Sequence, residues 1–184
     1  EVLSEPFETE DDEYAAIYSL LPGENLQKLS MRSEQDLALA KNLLVEAVIK
    51  LMDATDFIRE HEVSKILPSI ALVDELKALS VEDNPWLGEK MYQDAIQKLQ
   101  TILPHIKTPL VLSNGDYQPG NFLARDGKIT GFLDFESPSF QDPIMGFVKY
   151  PIYDLDPLGK TDIVEVFLEK KGFSEQDFNH RLAL

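Results

Sequence analysis

The sequence predicts an α+β fold, mostly helical, with one β-hairpin at its centre. Three observations carry that expectation. Capping residues precede apolar stripes at helical spacing between residues 33 and 103, an Asp-Gly pair separates two apolar segments at 126–127, and no strand candidate lies between residue 21 and Leu110. The 184 residues, 43% hydrophobic and 27% charged, suffice for a real core and have an ordinary globular balance.

Composition narrows the function classes. Cysteine is absent, which removes disulfides, thiol nucleophiles and thiolate zinc sites, and agrees with a reducing, cytoplasmic setting. No apolar run approaches the roughly 18 residues of a membrane span, so no membrane contact is expected. Lys and Arg number 17 against 33 Asp and Glu, a net charge of −16. Phosphate backbones repel such a chain, so nucleic acid is a poor partner and cationic small molecules are slightly favoured.

The elements follow in order. Residues 1–13 carry seven acidic side chains and no basic one, the pattern of a solvated loop. A strand-like stretch at 14–21 meets a turn at Pro22-Gly23 and has no evident partner strand. Ser33 and Asp36 resemble a capping box, opening a helix whose inward face is Leu37, Ala40, Leu44, Ala47, Val48, Leu51 and Met52. Ser69 opens a second helix carrying Ile70, Val73, Leu76 and Leu79. Asn84-Pro85 opens a third, with Trp86 anchoring its start and Met91, Ala95, Leu99, Ile102 and Leu103 inward until Pro104. Thr161 caps a fourth that ends at Gly172. Because the chain starts at Glu1 and a helix opening at Ser174 reaches Leu184 without a stop signal, it reads as an excised piece of a longer protein.

The informative stretch is 110–143. Leu110 to Leu112 reads as a short buried strand entering the loop Ser113-Asn114-Gly115-Asp116. Asp126-Gly127 then closes a hairpin, and a two-residue turn there makes paired residue numbers sum to 253, placing Asn121 opposite Phe132. Asp134 is two residues further along the same face, about 7–8 Å diagonally from Asn121. Asp116 lies five residues before Asn121, in a loop kinked by Gly115 and Gly120. Three oxygen-bearing side chains thus converge at one end of a hairpin, a donor set that suits Mg²⁺ and, through it, phosphates.

The run from Ser113 to Leu123, followed by Gly131-Phe132-Leu133-Asp134-Phe135-Glu136 and Asp142-Pro143, resembles the aminoglycoside phosphotransferase and choline kinase-like family, small-molecule relatives of the protein kinases. The resemblance implies a kinase-like fold seen as its C-terminal lobe, with residues 1–23 an acidic lead and hinge strand and 24–184 the helical lobe. It implies Asp116 as catalytic base for an acceptor hydroxyl, and Asn121 and Asp134 as Mg²⁺ ligands on ATP. Backbone at Leu20 and Leu21, in the hinge-like run from Ile17 to Gly23, would meet adenine, with Leu123 and Leu133 lining the base pocket. The acceptor would be a small hydroxyl-bearing molecule. The phosphate-clamping glycine loop and its lysine would lie upstream of Glu1.

Two positions depart from the family pattern. Asn114 stands where the family usually has His, and no acid occupies the third position after Asp142-Pro143, where Gly146 stands. That acid normally braces the catalytic loop. Weakened activity and mutual compensation both follow from such a pair of changes; with Asp116, Asn121 and Asp134 intact, compensation is the expectation.

Other signals carry less. Gly115 and Gly120 have the glycine spacing of a phosphate-binding loop, but Asn121-Phe122 replaces the required Lys-Ser/Thr. Asp154, Asp156, Gly159, Asp162 and Glu165 fall at calcium-loop positions, against which Pro157 and Leu158 argue. Glu136 reads either as a metal or cation contact or as a solvated acid. Two function classes remain: a small-molecule kinase, and an inactive kinase-like lobe used for binding or scaffolding.

Overall fold

The structure is a computed structural model and describes residues 7–8, 14–15, 21–79, 82, 84–102, 109–135, 137–150 and 156–172. The Ile17–Leu20 stretch, Leu103, Pro104, Glu136, Asp154 and the helix expected from Ser174 lie outside the described residues.

β1 (Phe7–Glu8) pairs antiparallel with β2 (Tyr14–Ala15). The acidic lead is therefore not loop throughout, and the strand-like stretch does have a partner. A charged block announces solvated side chains, but backbone pairing between antiparallel neighbours needs only a short connection. β3 (Glu24–Asn25) then leads directly into α1 (Leu26–Ser30), where the Asn25 carboxamide accepts from Lys28 N at 2.9 Å and caps the helix.

α2 (Glu34–Asp53) is the axis of the molecule. Ser33 Oγ accepts from Asp36 N at 3.1 Å and donates to the Asp36 carboxylate at 2.9 Å, so the expected cap forms. Ala40, Leu44, Val48 and Met52 are buried as the stripe requires, and Leu43 and Val45 join them. They pack with Tyr117, Phe122, Phe147, Leu158, Ile163 and Phe167 in one core. Each such large side chain contributes roughly 1.5–3 kcal/mol on burial. α3 (Thr55–Arg59) continues from α2, and Thr55 Oγ1 accepts from Leu112 N at 2.9 Å, tying helix end to strand.

The second helix begins later than expected. Ser69 and Ile70 form β4 (Ser69–Ile70), parallel to the strand at Ser139–Gln141, and α4 spans Leu72–Ala78. Phe140 N donates to Pro68 O at 2.8 Å, so the segment is held extended by main-chain bonds that outweigh the capping preference of Ser69. A 3-10 turn at Pro85–Gly88 precedes α5 (Lys90–Ile102), which carries no buried residue. Trp86 is half exposed against the edge of Tyr92, rather than anchored in the core. Leu99 and Ile102 are half-buried as expected, but Met91 and Ala95 face solvent, and Tyr92 and Ile96 take the inner side in their place.

β5 (Val111–Ser113), β6 (Phe122–Arg125), β7 (Lys128–Phe132) and β8 (Ser139–Gln141) complete the strands. Two three-stranded sheets result, in the orders β3-β6-β7 and β4-β8-β5. α6 (Ile163–Lys171) packs on α2, with Lys171 paired to Asp53 at 3.0 Å, and ends at Gly172 with φ 74°, as expected. Its N-cap is Asp162, not Thr161; the Thr161 hydroxyl donates back to Leu158 O at 2.7 Å and closes the preceding 3-10 turn instead. No helix among the described residues is long and apolar enough to cross a membrane.

Candidate active site

The loop from Asn114 to Asn121 joins the two three-stranded sheets, leaving β5 and entering β6 through a 3-10 turn at Pro119–Asn121. Gly115 turns it with φ 72°; a Cβ there would stand 3.0 Å from the Gln141 amide. Ser113 Oγ accepts from Gly115 N at 3.0 Å and meets Tyr117 OH at 2.6 Å. Asn114 is the clamp. Its Oδ1 accepts from Asp116 N at 3.2 Å, while its Nδ2 donates to Asp116 O at 3.0 Å and to Asp134 O at 3.3 Å. A carboxamide both donates and accepts at once, so Asn114 fixes the loop and the end of the hairpin together.

Tyr117 roots the loop in the core. Fully buried, it packs edge-on against Phe147 at 5.0 Å between ring centres. Its N donates to Gly146 O at 3.2 Å, and its carbonyl accepts from Tyr150 OH at 2.7 Å. Burial pushes the Tyr117 and Tyr150 hydroxyls above the ordinary phenol range, so both act as neutral hydrogen-bonding groups. A Cβ on Gly146 would stand 2.3 Å from the Tyr117 ring. The position without an acid is thus filled by an aromatic ring, which is the brace here.

The hairpin register holds only near the turn. Arg125 pairs with Lys128 and Ala124 with Ile129, as expected, but a bulge at Thr130 then shifts the ladder by one. Leu123 faces Gly131, Phe122 faces Phe132, and Asn121 O accepts from Leu133 N at 2.7 Å. Asn121 therefore lies opposite Leu133, not Phe132, and the diagonal that placed Asp134 beside it does not exist in that form. The residues that precede β3 lie against the bulge: Thr130 Oγ1 donates to Pro22 O, and Leu21 Cδ1 lies 2.7 Å from where a Gly131 Cβ would stand. Asp134 follows immediately after Leu133 with φ 57°, a left-handed turn that ends strand alternation. At the ladder's end the Asn121 carbonyl is held by Leu133 N, and the Asp134 carbonyl by the Asn114 clamp.

Of the other expected site residues, Leu21 and Leu123 both approach Gly131, Leu123 Cδ1 lying 3.5 Å from its Cβ position. Leu133 is exposed and Leu20 lies outside the described residues.

Asp116 is half-buried. Its Oδ2 lies 3.4 Å from Lys149 Nζ, and its buried Oδ1 has no partner among the described residues. Neither has the buried Nδ2 of Asn121. Unpaired buried polar atoms are rare, and two in one loop mark groups arranged for something other than the loop itself. A cavity of about 110 Å³ opens beside Asp116, lined by Gln27, Gln118, Lys149, Tyr150 and Asp156 among others. Burial raises the Asp156 carboxyl above its usual value, against hydrogen bonds from Leu158 N and Gln27. Gln118 belongs to the motif read from the sequence, but Gln27, Lys149, Tyr150 and Asp156 were not legible as its neighbours, since α1 and distant turns bring them to the cavity only in the assembled fold. Among the described residues of the calcium-loop spacing, Asp156 caps Leu158 N at 2.9 Å and Asp162 binds Lys41 at 2.6 Å, so both carboxylates have protein partners. No group of three or more His, Asp or Glu suited to a metal occurs among the described residues. The loop does hold, on Asp116, a buried carboxylate oxygen with no partner among the described residues and, on Asn121, a carboxamide, and these are oxygen-bearing groups of the kind a hard cation takes.

The model of the phosphotransferase enzyme family, APH, matches residues 3–150. No curated protein sequence matches the chain. Among solved structures, the apo form of a thermostable mutant of aminoglycoside phosphotransferase APH(4)-Ia superposes with a TM-score of 0.68 at 15% identity, over 99% of this chain and 64% of that one. The GDP and kanamycin complex of APH(2")-IIia gives 0.67 at 22% identity, over 97% and 62%. A ternary complex of an APH(4)-Ia mutant with AMP-PNP and hygromycin B gives 0.67 at 15%, over 99% and 63%. The chain spans less than two thirds of the length of each of these structures, and at such identities the likeness is one of fold. Fold and family model agree: this chain, α+β and mostly helical with a kinase-like architecture, belongs to the phosphotransferase enzyme family.

Proposed function

We propose that the complete protein is an ATP-dependent phosphotransferase acting on a hydroxyl group of a small molecule, and that the loop from Asn114 to Asn121 is its catalytic loop. The observation that carries this reading is the state of Asp116, whose backbone is locked by Asn114 and Tyr117 while its buried Oδ1 has no partner among the described residues. A general base needs that combination of fixed placement and an uncommitted acceptor atom. Asn121 and Asp134 would hold Mg²⁺, and Leu20, Leu21, Leu123 and Leu133 the adenine base. When bound, Mg-ATP supplies the phosphoryl group and the cation that offsets its charge.

The chain's own work is positioning. Asp116 receives the acceptor's hydroxyl proton, Asn114 keeps the loop and Asp134 in fixed relation, and Tyr117 resists displacement of the whole loop. The net charge of −16 favours a cationic acceptor on approach. In the complete protein, Asp134→Ala should abolish Mg²⁺-dependent nucleotide binding, and Asp116→Asn should spare binding while lowering turnover by about 100-fold or more. Calorimetry with Mg-ATP and a phosphate-transfer assay measure the two effects. Equal turnover in wild type and Asp116→Asn would remove Asp116 from the chemistry and favour the scaffold reading.

A further inference from the structure

Among the described residues, Lys149 touches Asp116 and has no part in the reading above. It follows the 3-10 turn at Met145–Phe147 and lies between two residues of the core, the buried Phe147 and Tyr150. Tyr150 OH binds Tyr117 O, the carbonyl of the residue after Asp116, and Phe147 packs on the Tyr117 ring. The backbone carrying Lys149 is therefore braced against the same side chain that braces Asp116. Lys149 Nζ lies 3.4 Å from Asp116 Oδ2, and both residues line the 110 Å³ cavity.

Stability does not account for this placement. The Lys149 side chain is 45% exposed and that of Asp116 27%, and a pair so wetted adds at most about 1 kcal/mol. A cation at that point has a larger effect on transfer. The base must lie within about 3 Å of the attacking hydroxyl, and that oxygen within about 3.5 Å of the phosphorus. A lysine paired to the base is thus one swing of its flexible stem from the oxygens of the transferring group, where charge is spread in the transition state.

We propose that Lys149 is a further catalytic residue of this site: it rests on Asp116 when the site is empty and moves to the transferring phosphoryl group during reaction. The inference rests on the phosphotransferase reading. No bond forms or breaks at Lys149, which keeps its three protons; the acceptor's proton goes to Asp116. Because the group it meets is absent from a nucleoside diphosphate, Lys149 should matter little for the binding of Mg-ADP.

Calorimetric titration of the complete protein tests this with two probes, Mg-ADP and Mg-ADP with aluminium fluoride, a mimic of the transferring group. Lys149→Met should bind Mg-ADP within about twofold of wild type and the fluoride complex at least about tenfold more weakly, with Lys149→Arg restoring most of the difference. Fluoride-complex affinity equal to wild type in Lys149→Met would overturn the proposal, as would an equal loss for both probes. Wild-type protein that binds neither probe would instead overturn the phosphotransferase reading, and this inference with it.

Discussion

The loop around Asp116 and the arm formed by α4 and α5 are built on opposite terms. The loop is short and irregular, yet Tyr117 is fully buried beneath it and Asn114, Ser113 and Tyr150 satisfy its backbone. α5 has thirteen residues with regular apolar spacing, yet it buries none of them, and Met91 and Trp86 beside it are 67% and 49% exposed. Regular pattern and tight anchorage are therefore separate properties. Irregular backbone persists in a fold only where side chains and neighbouring strands take up its polar groups. A helix meets its own backbone needs and can lie on a surface with little help. The site sits on the region that cannot move without breaking several contacts at once.

The largest expected effect tests the anchored side. Gly146→Ala in the complete protein places a methyl inside the space of the Tyr117 ring, which is enclosed and cannot step aside. Overpacking of this kind costs about 1–3 kcal/mol, and a lower denaturant midpoint accompanied by a fall in turnover is expected. Unchanged stability and turnover would mean that the ring is not the brace.

Asp156 gives a smaller, pH-dependent test. Burial raises its folded-state pKa above the usual 3.8. Between those two values the native state binds more protons than the unfolded state, so the acid's contribution to stability falls as pH rises through the window and is level above it. Asp156→Asn keeps an oxygen for Leu158 N and cannot ionise. Its stability relative to wild type should therefore improve from about pH 4 upward and then plateau. Denaturant midpoints across that range measure it, and a pH-independent difference would show that burial does not act on this carboxyl.

Smallest of all should be Met91→Ala on α5, within about 0.5 kcal/mol in thermal or chemical unfolding. A loss of 2 kcal/mol or more, of the order that emptying a core site costs, would show that the arm is anchored as firmly as the loop.

What the sequence by itself determined were the features whose cause is local. The Ser33 cap, the apolar face of α2, the Asp126-Gly127 turn and the left-handed stop at Gly172 all depend on residues within a few positions of one another. The motif order from Ser113 to Asp134 pointed to the family that the match over residues 3–150 shows. Tertiary structure decided the rest. Ser69 and Ile70 became strand because β8 supplied main-chain partners; Met91 turned outward while Tyr92 and Ile96 took the inner side; and the hairpin slipped by one residue where Leu21 and Pro22 lie against Gly131 and Thr130. Lys149 met Asp116 across thirty-three positions of chain through the ring of Tyr117 and the bare Cα of Gly146. Local pattern sets which backbone states are cheap, whereas partners distant in sequence choose among them, because packing and hydrogen bonding are satisfied only in the assembled fold.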